Sequence, residues 1–484
     1  MLAQPDRLAG GRVIGIVLPP VEMHSVVNCT DHSAGFPMTP TPSLSDDCLL
    51  PADDPLRRTL HNEVHARPQA RIRMPAMVVY VAVLNEGIGR EAECEHLRKL
   101  PGQQSLALES LQGNFMRLRL DGYTLKWERH SEFTRYSVVL PLPETVLSGA
   151  TDAELLQLLS LPPDWLRDIP GRTLAAVQLM LVHGDLQQPE AAMAQAQAWF
   201  GEAPVVASLM GVAGHSWAVT DFVLRPSGFE RIVVIAPEGT TQTRAGRVSQ
   251  RLLELETYRL MALRGLPVAK ELGPMLLKAE AELADITTQL ESKAAGDQNL
   301  LDTLVSLSAR VERATATHVY RFSATRAYEA LVAQRIAQLH ERTIPGTQPI
   351  GEFMQRRLSP AMATVAATAQ RLASLSERVS RASALLRTRV DIATEQQNQQ
   401  LLAKLTRGQE IQLHMQTTVE GLSIAAISYY VISLLLYGAK ALKATGLPVN
   451  PELAVGVLIP VVLWGVWTAT QRIHKSVVKL THSN

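Results

Sequence analysis

Two apolar runs near the end of the chain constrain its folding most. Residues 421–442 read GLSIAAISYYVISLLLYGAKAL, and residues 453–470 read LAVGVLIPVVLWGVWTAT. Each is about the length, near 20 residues, that a helix needs to cross a bilayer core. Hydrocarbon offers no partner to a free N–H or C=O, so a spanning run must be helical. The link KATGLPVNPE at 443–452 holds Gly446, Pro448 and Pro451, which break a helix. The pattern predicts a transmembrane hairpin, 421–442 and 453–471, with a short outer link. The alternative, two buried core helices, fits poorly with so long and uniform a first run. Trp464 and Trp467 beside the basic tail 472–484, with Arg472, His474, Lys475 and Lys479, resemble an interfacial anchor. Lys404 and Arg407 precede the first span, against Lys440 and Lys443 about the link. That balance predicts both termini in the cytoplasm.

The remaining composition excludes more than it assigns. A net charge of +1 gives no electrostatic footprint for nucleic acid. Cys29, Cys48 and Cys94 make no spaced metal or redox pair, and a reducing compartment fits so few cysteines. Residues 1 to about 50 lack periodicity and cluster Pro, Ser and Thr, as a disordered leader would.

The most suggestive chemistry lies in DDPLRRTLHNEVHARP, residues 53–68. Asp54 suits an N-cap, Pro55 the first helical position, and Leu56, Leu60 and Val64 share a face. On that helix His61 and His65 lie one turn apart and could ligate one metal ion. Glu63 then falls on the opposite side, unlike the arrangement of H-E-x-x-H. In an extended segment His61, Glu63, His65 and Arg67 would instead point one way as a polar cluster. The plainer alternative is that these four residues tie the segment to the following sheet.

Residues 51–238 predict an α+β domain with a mostly antiparallel sheet. AMVVYVAVL at 76–84 reads as a buried strand, and a helix follows near 89–99. FMRLRLDG, YTLKWERH and FTRYSVVL alternate apolar with charged positions, as half-buried antiparallel strands do, and Asp121-Gly122 marks a hairpin. After a helix near 152–159 the order recurs through TLAAVQLMLV, PEAAMAQAQAWF, PVVASLM, SWAVTDFVLR and FERIVVIAP. Both halves therefore read β-α-β-β-β, a topological hint of duplication. There is no phosphate loop, nucleotide fingerprint or nucleophile elbow. His183, Asp185, His215 and Asp221 are scattered and read as loop or edge positions.

Residues 239–420 predict a helical stalk. Breaks fall at Gly265-Pro267, Gly296-Asp297 and 344–351, and a last helix from about 352 runs into the first span. Leu372, Leu375, Val379, Ala382, Leu386 and Val390 form a stripe for packing against earlier helices or between subunits. EQQNQQ interrupts it, with Asn398 either in a polar register layer or facing water.

The stretches LHNEVHARP, EFMQRRLSPAMATVAATAQRL, LLRTRVDIATEQQNQQLLAKL and QTTVEGLSIAAISYYVISLLLYGAK resemble the bacterial membrane-anchored family called domain of unknown function 3422. The resemblance covers about residues 52–480 and implies a bacterial inner-membrane anchor, but no catalytic residue. A looser similarity of layout links the chain to CorA-type magnesium transporters. Their Gly-Met-Asn signature is absent, Tyr437-Gly438-Ala439-Lys440 standing in its place, and Glu452 alone makes no acidic ring. Lys440 and Lys443 would repel cations at a pore mouth.

Three functions follow. The first is a non-enzymatic, membrane-anchored scaffold, homo-oligomeric through stalk and spans, whose domain binds a protein or small ligand and which needs no cofactor. In it Gly421, Ala425 and Ser428 offer a small-residue packing face. The second is a CorA-like channel with Ser428, Tyr429, Ser433 and Tyr437 near the pore, unless those side chains bond between helices. The third is a metal-dependent enzyme centred on His61 and His65.

Overall fold

The strand β1, Ala76–Leu84, is the spine of the molecule. It carries no charge, so both of its faces can be buried without a desolvation penalty. Ala76, Val78, Tyr80 and Ala82 enter one core, and Met77, Val79, Val81 and Val83 enter another on the opposite face. In the computed structural model, which describes residues 54–57, 60, 70–159, 161–292, 296–444 and 450–481, this strand lies inside a nine-stranded sheet. The order is β2-β3-β4-β1-β5-β8-β7-β6-β9. The other strands are β2 (Phe115–Leu120), β3 (Tyr123–Arg129), β4 (Phe133–Pro141), β5 (Arg172–His183), β6 (Val206–Met210), β7 (Ser216–Thr220), β8 (Glu230–Ala236) and β9 (Arg342–Thr343).

The two halves share their strand order but not their strand sense. Outward from the centre they run β1-β4-β3-β2 and β5-β8-β7-β6. However, β1 pairs with β4 antiparallel, whereas β5 pairs with β8 parallel, so the second triplet runs reversed relative to its first strand. Repeated element order is therefore legible, while an exact two-fold repeat is not present.

Short helices cover one face: α1 (Arg90–Arg98), α2 (Asp152–Gln157), α3 (Pro163–Arg167) and α4 (Pro189–Gln197). Cys94, Leu97, Leu155, Trp165 and Ala196 from them join the core beneath. The other face is covered by α5 (Gln242–Leu263), whose Leu252, Leu253 and Leu255 pack over the sheet. Thr241 caps α5 by accepting from the Arg244 N–H at 3.3 Å. The helical stretch that begins at 239 thus opens with a helix that forms the third layer of the domain. Its apolar stripe explains why: leaving those leucines in water would cost about 1.5–3 kcal/mol each.

The same core continues through α6 (Gly265–Ser292), α7 (Asp297–Leu339) and α8 (Ile350–Ala444). Between α7 and α8 the chain returns to the sheet edge as β9, pairing with β6. Helix α8 has 95 residues, on the order of 140 Å at 1.5 Å per residue. Its stripe of Leu372, Leu375, Val379 and Leu386 is buried against the neighbouring helices. From Asp391 to Val419 every residue is exposed. Helix α9 (Pro451–Thr481) then folds back against the end of α8.

Candidate functional site

A cleft lies where the β2–β3–β4 end of the sheet meets α5. Its enclosed part is small, about 80 Å³, and it opens to solvent at one side. Strand register builds its floor. Arg135 of β4 pairs across to Glu128 of β3, which pairs to Phe115 of β2; one rung over run Tyr80, Ser137, Lys126 and Arg117. The opposite wall is α5, through Gly246, Ser249, Gln250 and Leu253. Gly246 is required there, because a Cβ would run into the carbonyl of Ala70.

The floor is an ion network removed from water. Arg135 donates from Nε to Glu128 Oε2 at 2.5 Å and from Nη1 to Glu254 Oε1 at 3.3 Å. Arg335 of α7 donates to Glu254 Oε2 at 2.6 Å, and Gln250 donates to Oε1 at 2.8 Å. Lys126 Nζ lies 3.0 Å from Glu128 Oε2. Burial alone would raise the Glu128 pKa, but Arg135 and Lys126 hold the carboxyl down at about 2. Burial lowers the Lys126 ammonium from its ordinary value, against the pull of Glu128. Burial also pushes Tyr80 up to about 12, and its hydroxyl lies 2.7 Å from that of Thr257. Such a network is costly to desolvate but fixes geometry when every charge is matched. The exception is Glu128 Oε1, buried with no partner.

Two further titratable nests stand apart from this cleft. Glu230 of β8 and Glu256 of α5 share Arg259, whose Nη2 donates to Glu230 at 3.3 Å and whose Nε donates to Glu256 at 3.0 Å. Burial and the neighbouring Glu256 raise Glu230 to about 8. On the other face His96 is 3% exposed and stacks on Trp165 at 4.4 Å. Burial, with Lys99 nearby, lowers His96 to about 4.

His61, Glu63, His65 and Arg67 lie outside the described residues. Ala70 itself lines the cleft. The scattered candidates stay scattered. His183 ends β5, and Asp185 accepts from the Gln187 N–H at 2.9 Å. His215 lies 3.0 Å from the Ser216 hydroxyl, and Asp221 accepts from Arg225 at 2.6 Å. Among the described residues, no group of three or more His, Cys, Asp or Glu is placed to hold a metal ion.

The hairpin residues divide by face. Ser428 is buried where α8 meets α9, as is Val455, and Ser433 is half-buried. Gly421, Ala425, Tyr429, Tyr437, Lys440 and Lys443 are exposed, so of the proposed small-residue face only Ser428 packs within this hairpin. Leu434, Val457, Val461 and Trp464 also project outward. Both helices are long and apolar enough to cross a membrane.

The buried Arg135–Glu128–Glu254 network escaped sequence reading. Its signal was there: Glu128 and Arg135 occupy the alternating polar positions of adjacent strands, which ordinarily face water. Only the docking of α5 over them, about 120 residues later in the chain, turns that polar face inward.

The molecule is a three-layer sheet domain continuous with a very long helix and an apolar helix pair. The chain belongs to the family described as protein of unknown function (DUF3422), whose model matches residues 52–477. No curated protein and no solved structure matches it.

Proposed function

We propose that this protein is a non-enzymatic scaffold of the bacterial inner membrane, anchored by the α8–α9 hairpin with both termini in the cytoplasm. One observation carries the reading. Helix α8 runs unbroken from the domain core, through a segment exposed on all sides, into the apolar pair. Beyond Asp391 the helix is a spacer of about 45 Å before Gly421, at 1.5 Å per residue. It would hold the sheet domain well clear of the headgroups.

The spacer also supplies the self-association surface. Asn398, Leu405, Gln412 and Val419 take the a positions of a heptad frame, and Leu401, Gly408, Met415 and Leu422 the d positions. Leu401, Leu405, Met415 and Val419 are each about 60% exposed, so nothing among the described residues covers this seam. A second copy entering the membrane from the same side runs parallel and in register, with Asn398 as the polar layer that fixes it. A spacer without a partner would depend on helix propensity alone, a weak source of stability in water.

Alkaline carbonate extraction of cell membranes tests the anchoring. The full chain should stay in the pellet. Leu434→Arg with Val461→Arg should release it, because each arginine costs about 2.5–3.5 kcal/mol at a span centre. Both side chains are exposed in the structure, so a hairpin lying in water would not notice the change.

A further inference from the structure

We infer that the cleft between α5 and the β2–β3–β4 end of the sheet binds a small amphipathic organic acid that also carries an O–H or N–H donor. This goes beyond the anchored-scaffold reading and stands whether or not the hairpin inserts.

Three independent features point to that ligand. The first is charge. Arg71, Arg117, Lys126 and Arg135 line the cleft, against Glu128 as the one acid among the described residues of its lining. Arg135 and Lys126 are already committed to Glu128. Arg71 and Arg117 are exposed at the mouth and enter no ion pair among the described residues. Two uncommitted guanidinium groups on an opening of this size favour a carboxylate or phosphate, which their planar donor forks match.

The second feature is the free oxygen of Glu128. Both of its cations bind Oε2, while Oε1 is buried and unpartnered. A buried acceptor left without a donor costs about 1–3 kcal/mol, so native structures rarely keep one. An incoming hydroxyl or amide N–H satisfies it. A cationic donor is disfavoured, because the surrounding cations outnumber the acids.

The third feature is the wall between these two ends. Val78, Phe115, Val139 and Leu253 present an apolar surface from the floor towards the mouth. Lys126 lies 5.5 Å from the centre of the Phe115 ring, which leaves that ring partly committed at its edge of the cleft. An aromatic or short acyl body fills the remaining space, with its acid at the mouth and its donor at the floor.

The test uses the full chain in lipid nanodiscs and three probes: 4-hydroxybenzoate, benzoate and inorganic phosphate, with binding measured by calorimetry. 4-Hydroxybenzoate should bind at least tenfold more tightly than benzoate, which lacks the donor, and than phosphate, which lacks the body. Arg117→Gln, at the exposed mouth, should weaken 4-hydroxybenzoate about tenfold without changing Tm. Glu128→Gln should narrow the gap between 4-hydroxybenzoate and benzoate. Should that variant fail to fold, the Arg117→Gln comparison decides alone. Equal binding of all three probes, no binding at 10 mM, or binding unaffected by Arg117→Gln overturns the inference.

Discussion

Glu254 accepts from Arg335 at 2.6 Å, which joins α5, the helix that roofs the cleft, to α7. The same carboxylate also meets Arg135 of the sheet, so one buried acid ties the sheet, α5 and α7 together. Glu254→Gln leaves two guanidinium groups partly unmatched and should lower stability by about 3–5 kcal/mol. Adding Arg335→Met should cost less than the two single changes summed, because the pair acts as a unit. Thermal denaturation of the four proteins, followed by circular dichroism, completes the cycle. Simple additivity would mean that the ion pair contributes nothing.

Two glycines in helices should respond to alanine with opposite signs. Gly408 in α8 has nothing within 4 Å of its missing Cβ and no proline after it. Gly408→Ala should therefore gain up to about 1 kcal/mol from helix propensity. Gly246 in α5 abuts the Ala70 carbonyl, so Gly246→Ala should lose about 1–3 kcal/mol through overpacking. Denaturant midpoints at constant slope measure both. A gain at Gly246 would show that α5 does not press on the segment before β1.

Acid should weaken the fold through His96. Its folded pKa is about 4, below the 6.5 of an unfolded histidine, so the unfolded chain takes up the proton first. Stability is then complete above pH 6.5 and falls as pH drops towards 4, by about 3 kcal/mol in all. His96→Phe keeps the stack on Trp165 and should flatten that window in a Tm-versus-pH series. Below it, Glu128 adds a second loss as pH falls from the ordinary carboxylate range towards its own value of about 2.

Glu230 works in the other direction. Its folded pKa, about 8, lies above the unfolded value of 4.5. The stability it contributes is present below 4.5 and is lost as pH rises through 8, when both carboxylates beside Arg259 are charged. Glu230→Gln mimics the protonated form and should raise Tm at pH 8.5 by a few degrees, with little change at pH 4. An equal shift at both pH values would place the effect in packing rather than in the proton.

Much of this architecture was legible in sequence because short-range patterns report local structure. The uncharged run from Ala76 to Leu84 identified a strand buried on both faces, and Asp121-Gly122 marked the β2–β3 hairpin. Leu372, Leu375 and Val379 gave the packing face of α8. What escaped depends on partners distant in sequence. The two-residue strand β9 is too short to leave a pattern, and it exists because β6 offers an edge. The parallel sense of β5 and β8 follows from the crossover between them, which residue alternation does not encode. The cleft escaped for the same reason: Arg135 and Glu254 meet only after α5 docks. The His61–Arg67 motif, the clearest candidate in sequence, falls outside the described residues.

The proposed heptad seam predicts a subunit count. Native mass spectrometry of the full chain should show a dimer, as expected when Asn398 occupies an a position. Leu405→Lys with Val419→Lys, both at exposed a positions, should give monomers without lowering Tm of the sheet domain. A monomeric wild type would remove the self-association claim. A closed ring of four or more would instead support a channel lined near Tyr429 and Tyr437.

Carbonate extraction, with charge placed in the two apolar helices, decides whether the hairpin enters the membrane. The wild type should resist extraction, and Leu434→Arg with Val461→Arg should pass into the supernatant. A wild type that extracts as readily as the double variant would contradict insertion and return both helices to the surface of a protein in water.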